Sequence, residues 1–190
     1  MDYDDRRDAI VQTAARLYAE MGFLGCSIAD LSAACGMSKS LLYHYFASKE
    51  DILFAIMAGH VEALRQVADG IVDVADASQR LRDLTHGFVH LYVGASAQHK
   101  VLVNDLDKLP AERSAMIIET ERSLLDIVDG IIVELAPSLK SQRSRRRAIT
   151  MLYFGMINWM HTWFDAAKDV GPDEFADLVV AQFVNGLPRG

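Results

Sequence analysis

The stretch IADLSAACGMSKSLLYHYF, from Ile28 to Phe46, decides the fold of this chain. Leu31 and Leu42 fall where two short helices joined by a tight turn must touch, and Gly36 falls in the turn, where glycine adopts a positive φ most easily. Ser38 follows the turn and can cap the second helix through its hydroxyl. The pattern therefore predicts a helix-turn-helix, with helices over about 28–35 and 39–45.

The second helix of this motif keeps hydrogen-bond donors and one aromatic ring on the side away from Leu42 and Tyr45. A helix with such a face can enter the major groove of DNA. From Gly36 to Lys49 the chain has two lysines and no acid, or +2, whereas residues 1–35 have three arginines against six acids, or −3. Lysines, hydroxyls and helix N-termini hold phosphates, and some side chains reach base edges. The predicted DNA-contacting residues are Ser38, Lys39, Ser40, Tyr43, His44 and Lys49.

A simpler interpretation is that the aromatic residues fill a core and the lysines are only solvated. It suits Tyr45 and Phe46, which fall on the packing side. For Lys39, Tyr43 and Lys49 the cap, the turn glycine, the packing positions and the charge all agree with DNA binding, which favours that function.

Apolar residues recur every three or four positions along nearly the whole chain, and no alternating strand pattern competes with them. We therefore expect an all-α fold of about nine helices, in which three short helices are followed by longer ones. The predicted domains are an N-terminal three-helix helix-turn-helix DNA-binding domain over residues 1–50 and a larger helical ligand-binding and dimerisation domain over 51–190. The first, fourth and last two helices are predicted over about 5–21, 49–74, 144–165 and 173–186.

The composition narrows the function classes. A net charge of −7 argues against a protein coated in nucleic acid and leaves room only for a local basic face, while 51% hydrophobic residues and a mean hydropathy of +0.11 argue against disorder. No apolar run approaches a membrane span and the first residues lack a signal peptide's apolar stretch, so we expect a cytoplasmic protein without membrane contact. Cys26 and Cys35 are expected to be free thiols.

The segment from Ile28 to Leu53, with MGF before it, resembles the N-terminal DNA-binding domain of TetR-family transcriptional regulators. Its Tyr-x-Tyr-Phe followed by SKEDIL is among that family's most specific signatures. The resemblance implies a homodimer whose two heads reach successive major grooves of a palindromic operator, usually as a repressor. It also implies that Lys39, Tyr43, His44 and Lys49 contact DNA. Ser32 and Cys35 stand where alanine and leucine are common in the family.

The larger domain is rich in bulky apolar side chains accompanied by a few polar ones, which is the composition of an apolar ligand pocket. The alternative is that these residues only fill the core. YFGMINWMHTWF, with the preceding LPAERSAMIIETERSLL, is similar to a subset of TetR-like regulators that includes sensors of acyl-CoA thioesters, and this resemblance implies a small apolar ligand with an acyl-CoA as one candidate. The predicted ligand-binding residues are Phe88, Tyr92, Asn104, Met116, Asn158, Trp159 and Trp163.

Other functions remain open for this domain. The chain could be an efflux regulator that responds to aromatic or cationic drugs, a helical ligand carrier or enzyme without DNA binding, or a DNA-binding protein whose body is only a dimerisation scaffold. The arginines of QRSRRRAIT are either a solvated helix start or contacts for CoA phosphates or for an acidic partner surface.

The last two helices are predicted to form the dimer interface. Gly155 allows two helices to approach closely, and Phe175, Val179 and Phe183 form an apolar stripe that would be a liability if it were exposed.

The sequence gives only weak indications of a metal site or of catalysis. His86 and His90 are four residues apart and could share a helix face, but only Asp83 has the helical spacing to join them, so we predict no metal site. No nucleophile elbow, phosphate-binding loop or dinucleotide fingerprint occurs, and we predict neither a cofactor nor an enzyme.

Overall fold

The computed structural model describes residues 3–165, 167–168 and 170–188. Over these ranges the chain forms nine α-helices, three short 3-10 helices and no strand, which confirms the all-α fold class. The α-helices are α1 (Tyr3–Met21), α2 (Ile28–Ala34), α3 (Lys39–Tyr45), α4 (Lys49–Asp69), α5 (Ala77–Gly94), α6 (Ser96–Asp105), α7 (Ala111–Leu135), α8 (Arg143–Asn158) and α9 (Pro172–Asn185). The 3-10 helices span Leu106–Lys108, Pro137–Leu139 and Trp159–Thr162.

Two helices end earlier than the sequence predicts. α4 stops at Asp69 instead of residue 74, because Gly70 begins a turn in which the following N–H groups bond three residues back. α8 stops at Asn158 instead of residue 165, because His161 Nδ1 lies 2.6 Å from the carbonyl of Asn158 and Thr162 donates to that of Trp159 at 2.8 Å. The carbonyls that would continue α8 thus bond to side chains.

The chain divides into two compact units. The first comprises residues up to Glu62 together with Ala95–Glu119, and the second comprises Ala63–Gly94 and the chain from Thr120 onward. The division predicted after residue 50 falls in the first turn of α4 and stays a prediction. No helix among the described residues is both long and apolar enough to cross a bilayer.

The first unit is built around one apolar core. α1 packs on α2 and α6, α2 packs on α3, and the first turns of α4 complete the core. Its fully buried side chains include Ile10, Ala14, Tyr18, Leu31, Leu42, Leu53 and Met57. Leu31 and Leu42, predicted to join the two helices of the motif, are both 0% exposed.

The second unit has its own core, in which α5 packs along α9 and α7 and α8 contribute buried residues. Phe88 and Tyr153 are 0% exposed, and the Tyr153 hydroxyl lies 2.9 Å from Thr85 Oγ1, so the buried polar groups are paired. Gly87 is required by packing, because a Cβ there would overlap the side chain of Val67.

A buried histidine pair lies inside the first unit. His60 of α4 and His99 of α6 are 3% and 2% exposed, and His60 Nε2 lies 3.2 Å from His99 Nδ1. Burial, and then the neighbouring His99, lower the pKa of His60 from 6.5 to about 3. The fold therefore holds His60 neutral.

We expect this histidine to make stability fall with acidification. In the unfolded chain His60 is protonated below about pH 6.5, whereas in the folded protein it is protonated only below about pH 3. Stability is therefore full above pH 6.5 and decreases as the pH falls from 6.5 towards 3. The free energy of unfolding should lose about 2 kcal/mol at pH 5 from this group. Urea unfolding at pH 7.5 and pH 5 should give a smaller difference for His60→Leu than for the parent, while the exposed control His44→Leu keeps the full difference. Equal differences in all three proteins would contradict the assignment.

Candidate nucleic-acid interface and ligand site

Side-chain caps hold the helix-turn-helix in place. Ser27 and Asp30 form a reciprocal capping box at α2, and the hydrogen bonds from the Ser27 side chain and then its backbone hold the pKa of Asp30 below its usual range. Ser38 Oγ accepts the Leu41 N–H at 3.1 Å and so starts α3, and Ser48 Oγ accepts the Asp51 N–H at 3.1 Å and starts α4. Gly36 has a φ of +63°, which confirms the predicted turn.

α3 presents one polar face outside the core. Lys39, Ser40 and His44 are exposed, and Tyr43 is 50% exposed, whereas Leu42 faces inward. Ser38 is exposed at the start of the helix. Five of the six predicted DNA-contacting residues thus lie at the cap or on the open side of this one helix.

The rings next to this face are held by α1. Tyr45 stacks on Tyr3 with centroids 4.7 Å apart, and His44 meets the edge of Tyr3 at 6.2 Å. Phe46 is buried, with the Arg7 guanidinium 4.9 Å above its ring. Tyr45 and Phe46 therefore have the packing role that the sequence indicates, and the orientation of α3 is fixed from α1.

Lys49, predicted to contact DNA, makes contacts within the protein that the sequence does not predict. Its Nζ donates to the carbonyl oxygens of Phe23 at 2.6 Å and Cys26 at 2.5 Å and lies 4.3 Å from the centre of the Phe23 ring. The ammonium therefore ties the loop after α1 to the start of α4, and its position favours a structural role instead of a phosphate contact. The partners lie more than 20 residues upstream, where no local pattern points to them.

Arg113 is a residue that the sequence reasoning missed. It forms an ion pair with Asp51 and lies 5.3 Å from the centre of the Phe54 ring, so it joins the start of α7 to α4. Burial works against the carboxylate, but the hydrogen bonds from Arg113 and Ser48 outweigh it and lower the pKa of Asp51. Because Asp51 and Arg113 are 62 residues apart, no helical spacing relates them.

The second unit contains a polar pair among apolar side chains. The Tyr92 hydroxyl donates to Asn158 Oδ1 at 2.9 Å, and Tyr92 stacks on the buried Phe88 with centroids 6.3 Å apart. Burial, then Tyr153 and Glu121, raise the pKa of Tyr92, so the phenol stays neutral. Three of the predicted ligand-binding residues, Phe88, Tyr92 and Asn158, are thus brought together.

Glu121 is a second missed residue. Burial raises the pKa of this half-buried carboxyl group, and its charge is felt at Tyr92. A signal was present in the sequence, since Glu121 lies three and seven residues before Leu124 and Val128, which are buried on α7. A carboxyl group is unusual on a buried apolar stripe such as this one on α7.

The other predicted ligand residues do not join this pair. Asn104 and Met116 are exposed residues of the first unit, and Asn104 lines an open cleft of about 730 Å³ there. Trp159 and Trp163 are 65% and 49% exposed, positions that fit a surface contact better than the wall of an enclosed pocket.

The predicted dimer-interface residues are partly buried in the protomer and partly exposed. Val179 and Phe183 are 3% and 7% exposed and pack inside their own protomer, where the Phe183 ring meets Tyr153 at 5.2 Å, and Phe175 is half-buried against Phe164. The apolar stripe of α9 therefore covers the core of its own unit, which argues against the predicted dimer contact through these residues. Gly155 is exposed with open space at its Cβ position. The large apolar residues exposed between α8 and α9 and on these helices include Met151, Leu152, Trp159, Trp163 and Leu178.

Comparison with known proteins decides the family. The profile described as "Bacterial regulatory proteins, tetR family" matches residues 10–56, which include the helix-turn-helix. The profile "Tetracyclin repressor-like, C-terminal domain" matches residues 74–187, which is more than half of the chain. This chain belongs to the TetR family. It is a TetR-family transcriptional regulator with an N-terminal helix-turn-helix and a helical C-terminal domain.

Relatives of this TetR-family regulator cover nearly its whole length. A TetR-family transcriptional regulator from Bordetella parapertussis is 34% identical, with a TM-score of 0.93 over 97% of this chain and 96% of that one. AibR, solved in complex with isovaleryl coenzyme A and operator DNA, is 28% identical, with a TM-score of 0.80 over 93% and 97% of the two chains. The transcriptional activator FasR of Mycolicibacterium smegmatis is 22% identical over 97% of this chain and 84% of its own.

Proposed function

We propose that this TetR-family regulator acts as a homodimer that binds a two-fold operator through α3 of each protomer and represses transcription until an acyl-CoA thioester releases it. The observation that carries the DNA-binding part is the open face of α3, where Lys39, Ser40, Tyr43 and His44 are exposed together on a helix anchored by Leu42. Caps and a turn glycine fix this helix, so its donors are held in place before DNA arrives.

The two kinds of contact differ in what they contribute. In this proposal Lys39 and Tyr43 hold phosphates, which position the protein on any duplex, while Ser40 and His44 contact base edges, which select the sequence. The N-terminus of α4 adds backbone N–H groups that favour a phosphate. Lys49 supports this site by holding the loop that precedes α2.

The double variant Lys39→Ala with Tyr43→Ala should bind the operator about thirtyfold more weakly or worse, because a dimer loses four phosphate contacts. The operator for the measurement is a duplex selected from random DNA by repeated binding, and affinity is measured by fluorescence anisotropy. Lys140→Ala removes an exposed lysine of the second unit and is the matched control, expected to bind like the parent. A double variant within twofold of the parent would place the interface elsewhere.

Salt dependence measures the same contacts independently. The logarithm of the binding constant falls by about 0.9 per neutralised phosphate against the logarithm of the salt concentration. Lys39→Ala removes one such contact per protomer, so its slope should be shallower by about 2 than that of the parent and of Lys140→Ala.

A homodimer is supported by exposed apolar residues of α8, of the 3-10 helix that follows it and of α9. Leu152, Gly155 and Trp159 follow one another at helical spacing, and Leu178 is 48% exposed on α9. Apolar faces of this kind on two adjacent helices are typical of a two-fold interface in which the same surface of each protomer meets its copy.

The ligand class is supported by the second unit and by one relative. Tyr92 and Asn158 supply a neutral donor and acceptor beside apolar side chains, which suits the carbonyl of a thioester with an acyl chain. AibR, 28% identical, was solved with isovaleryl coenzyme A. Glu121 favours a second candidate, because a half-buried carboxylate attracts a cationic aromatic ligand, and this keeps the drug-responsive regulator as the alternative.

A further inference from the structure

Four side chains of the second unit converge where α9 begins against α5. His86 and His90 lie one turn apart on α5, and Asp173 and Asp177 lie one turn apart on α9. His86 Nδ1 and His90 Nε2 both face the same oxygen, Asp173 Oδ1, at 3.1 and 2.7 Å. Asp83, the acid of α5 with helical spacing, instead accepts Gln79 Nε2 at 2.8 Å, and the third ligand comes from Asp173, 83 residues beyond His90.

The surroundings of His86 determine which ring nitrogen carries its proton. Its Nε2 lies 2.8 Å from Asp177 Oδ1, and the same oxygen accepts Arg82 Nη2 at 2.9 Å. An ionised carboxylate is only an acceptor, so it holds the imidazole proton on Nε2. With the proton on Nε2, the lone pair of Nδ1 faces Asp173 Oδ1 at 3.1 Å, so a metal ion bound by both atoms would take the place of the second proton that an imidazolium carries there.

We propose that His86, His90 and Asp173 bind a divalent transition-metal ion, with zinc as the best match. The three ligand atoms lie within 4.8 Å of one another. Ligand atoms around tetrahedral zinc are about 3.3 Å apart, given bond lengths of about 2.0–2.1 Å, so small side-chain movements suffice. Two imidazoles and one carboxylate suit zinc, cobalt and nickel better than magnesium or calcium, and the fourth position is left for water.

Asp177 completes the arrangement without touching the ion. It accepts the second ring nitrogen of His86, which orients the ring and makes Nδ1 a stronger ligand, and Arg82 holds Asp177 in turn. His86 is 25% exposed, and His90 and Asp173 are more exposed, so an ion can enter from solvent. The bound ion would join the first turn of α9 to α5.

The experiment titrates zinc into the full-length chain, after dialysis against a chelator, in competition with a chromogenic chelator. We expect one zinc per protomer, and cobalt should give the visible ligand-field absorption of a four-coordinate site. His90→Gln should weaken binding by about a hundredfold or more, and Asp177→Asn by about tenfold to a hundredfold. His44→Gln removes an exposed histidine of α3 and should bind zinc like the parent.

Melting curves separate loss of the site from loss of the fold. His90 is 53% exposed, so His90→Gln should melt like the chelator-treated parent, and saturating zinc should raise the melting temperature of the parent by about 5 °C or more but not that of the variant. Two results would overturn the proposal. One is no stoichiometric binding by the parent, which would make the cluster a set of histidine–aspartate ion pairs. The other is unchanged affinity in His90→Gln, which would place the ion elsewhere.

Discussion

The double variant Leu152→Glu with Leu178→Glu is expected to be a monomer that binds the operator at least about a thousandfold more weakly than the parent, because one head alone makes half of the contacts. Leu152 is 67% exposed in the protomer and Leu178 is 48% exposed, so the monomer tolerates both changes. In a two-fold interface each substitution occurs twice, and four carboxylates would be buried close together without partners. Sedimentation velocity measures the oligomeric state.

Two control variants test whether the effect is specific to the exposed surface around Leu152 and Leu178. Val72→Glu introduces the same charge at a 69% exposed apolar residue outside α8 and α9 and should leave the dimer intact. Phe183→Ala removes a core ring and should cost about 3–5 kcal/mol of unfolding free energy, yet its folded fraction should still be dimeric. If the double variant sediments as a dimer, the interface lies on another surface.

Phe183 and Leu178 show why helical periodicity alone does not locate a dimer interface. Both are apolar and both lie on α9, and helical periodicity places Phe183 with Val179 on the apolar stripe. Periodicity identifies a buried face but does not say whether the protomer or its partner buries it. The proposed contact with the partner instead uses sparser exposed apolar residues such as Leu178, which a single-helix pattern does not distinguish from ordinary surface residues.

The helix-turn-helix could be predicted in detail because its determinants are local. Ser27, Ser38 and Ser48 each cap the helix that follows within three residues, and Gly36 takes its positive φ from the turn alone. Lys49 shows the limit of that approach. Its type and position match a phosphate contact, but its ammonium donates to the carbonyl oxygens of Phe23 and Cys26 in the loop before α2. The conformation of that loop depends on tertiary packing, which a local sequence pattern does not contain.

The same limit applies to the sites of the second unit. Tyr92 and Asn158 are 66 residues apart, and their pairing depends on how α5 lies against α8. Composition predicted a polar contact among apolar residues but could not separate Asn158 from Asn104, which lies in the other unit. Asp173 meets His90 through the packing of α9 on α5, so the metal site has no signature within either helix.

Octanoyl-CoA or isovaleryl-CoA is expected to weaken operator binding about a hundredfold at saturation. A ligand that binds the DNA-bound and released dimers equally well would not change operator binding. A ligand that binds the released dimer a hundredfold more tightly shifts the equilibrium towards release by about 2.7 kcal/mol. The measurement titrates these thioesters, the matching free acids, CoA alone and the cationic dye rhodamine 6G into the complex with the selected duplex. Anisotropy of labelled DNA reports release.

Two variants assign the response to residues. Tyr92→Phe removes the donor to Asn158 while keeping the ring stacked on Phe88, so it should weaken the thioester response and leave operator affinity unchanged. Glu121→Gln keeps the shape but removes the charge, so it should leave the thioester response in place and abolish any response to the dye.

The pattern of release decides between the candidate functions, because each depends on a different group. A thioester carbonyl would replace Asn158 Oδ1 as the acceptor of the Tyr92 hydroxyl, whereas a cation would pair with the carboxylate of Glu121. A free acid would bring a second negative charge close to that carboxylate. Release by octanoyl-CoA that Tyr92→Phe weakens and Glu121→Gln preserves supports an acyl-CoA sensor. Release by the dye alone, lost in Glu121→Gln, would instead identify a drug-responsive regulator. If no compound releases the DNA while the Lys39→Ala and Tyr43→Ala double variant still loses operator binding, the body serves as a dimerisation scaffold for a DNA-binding head.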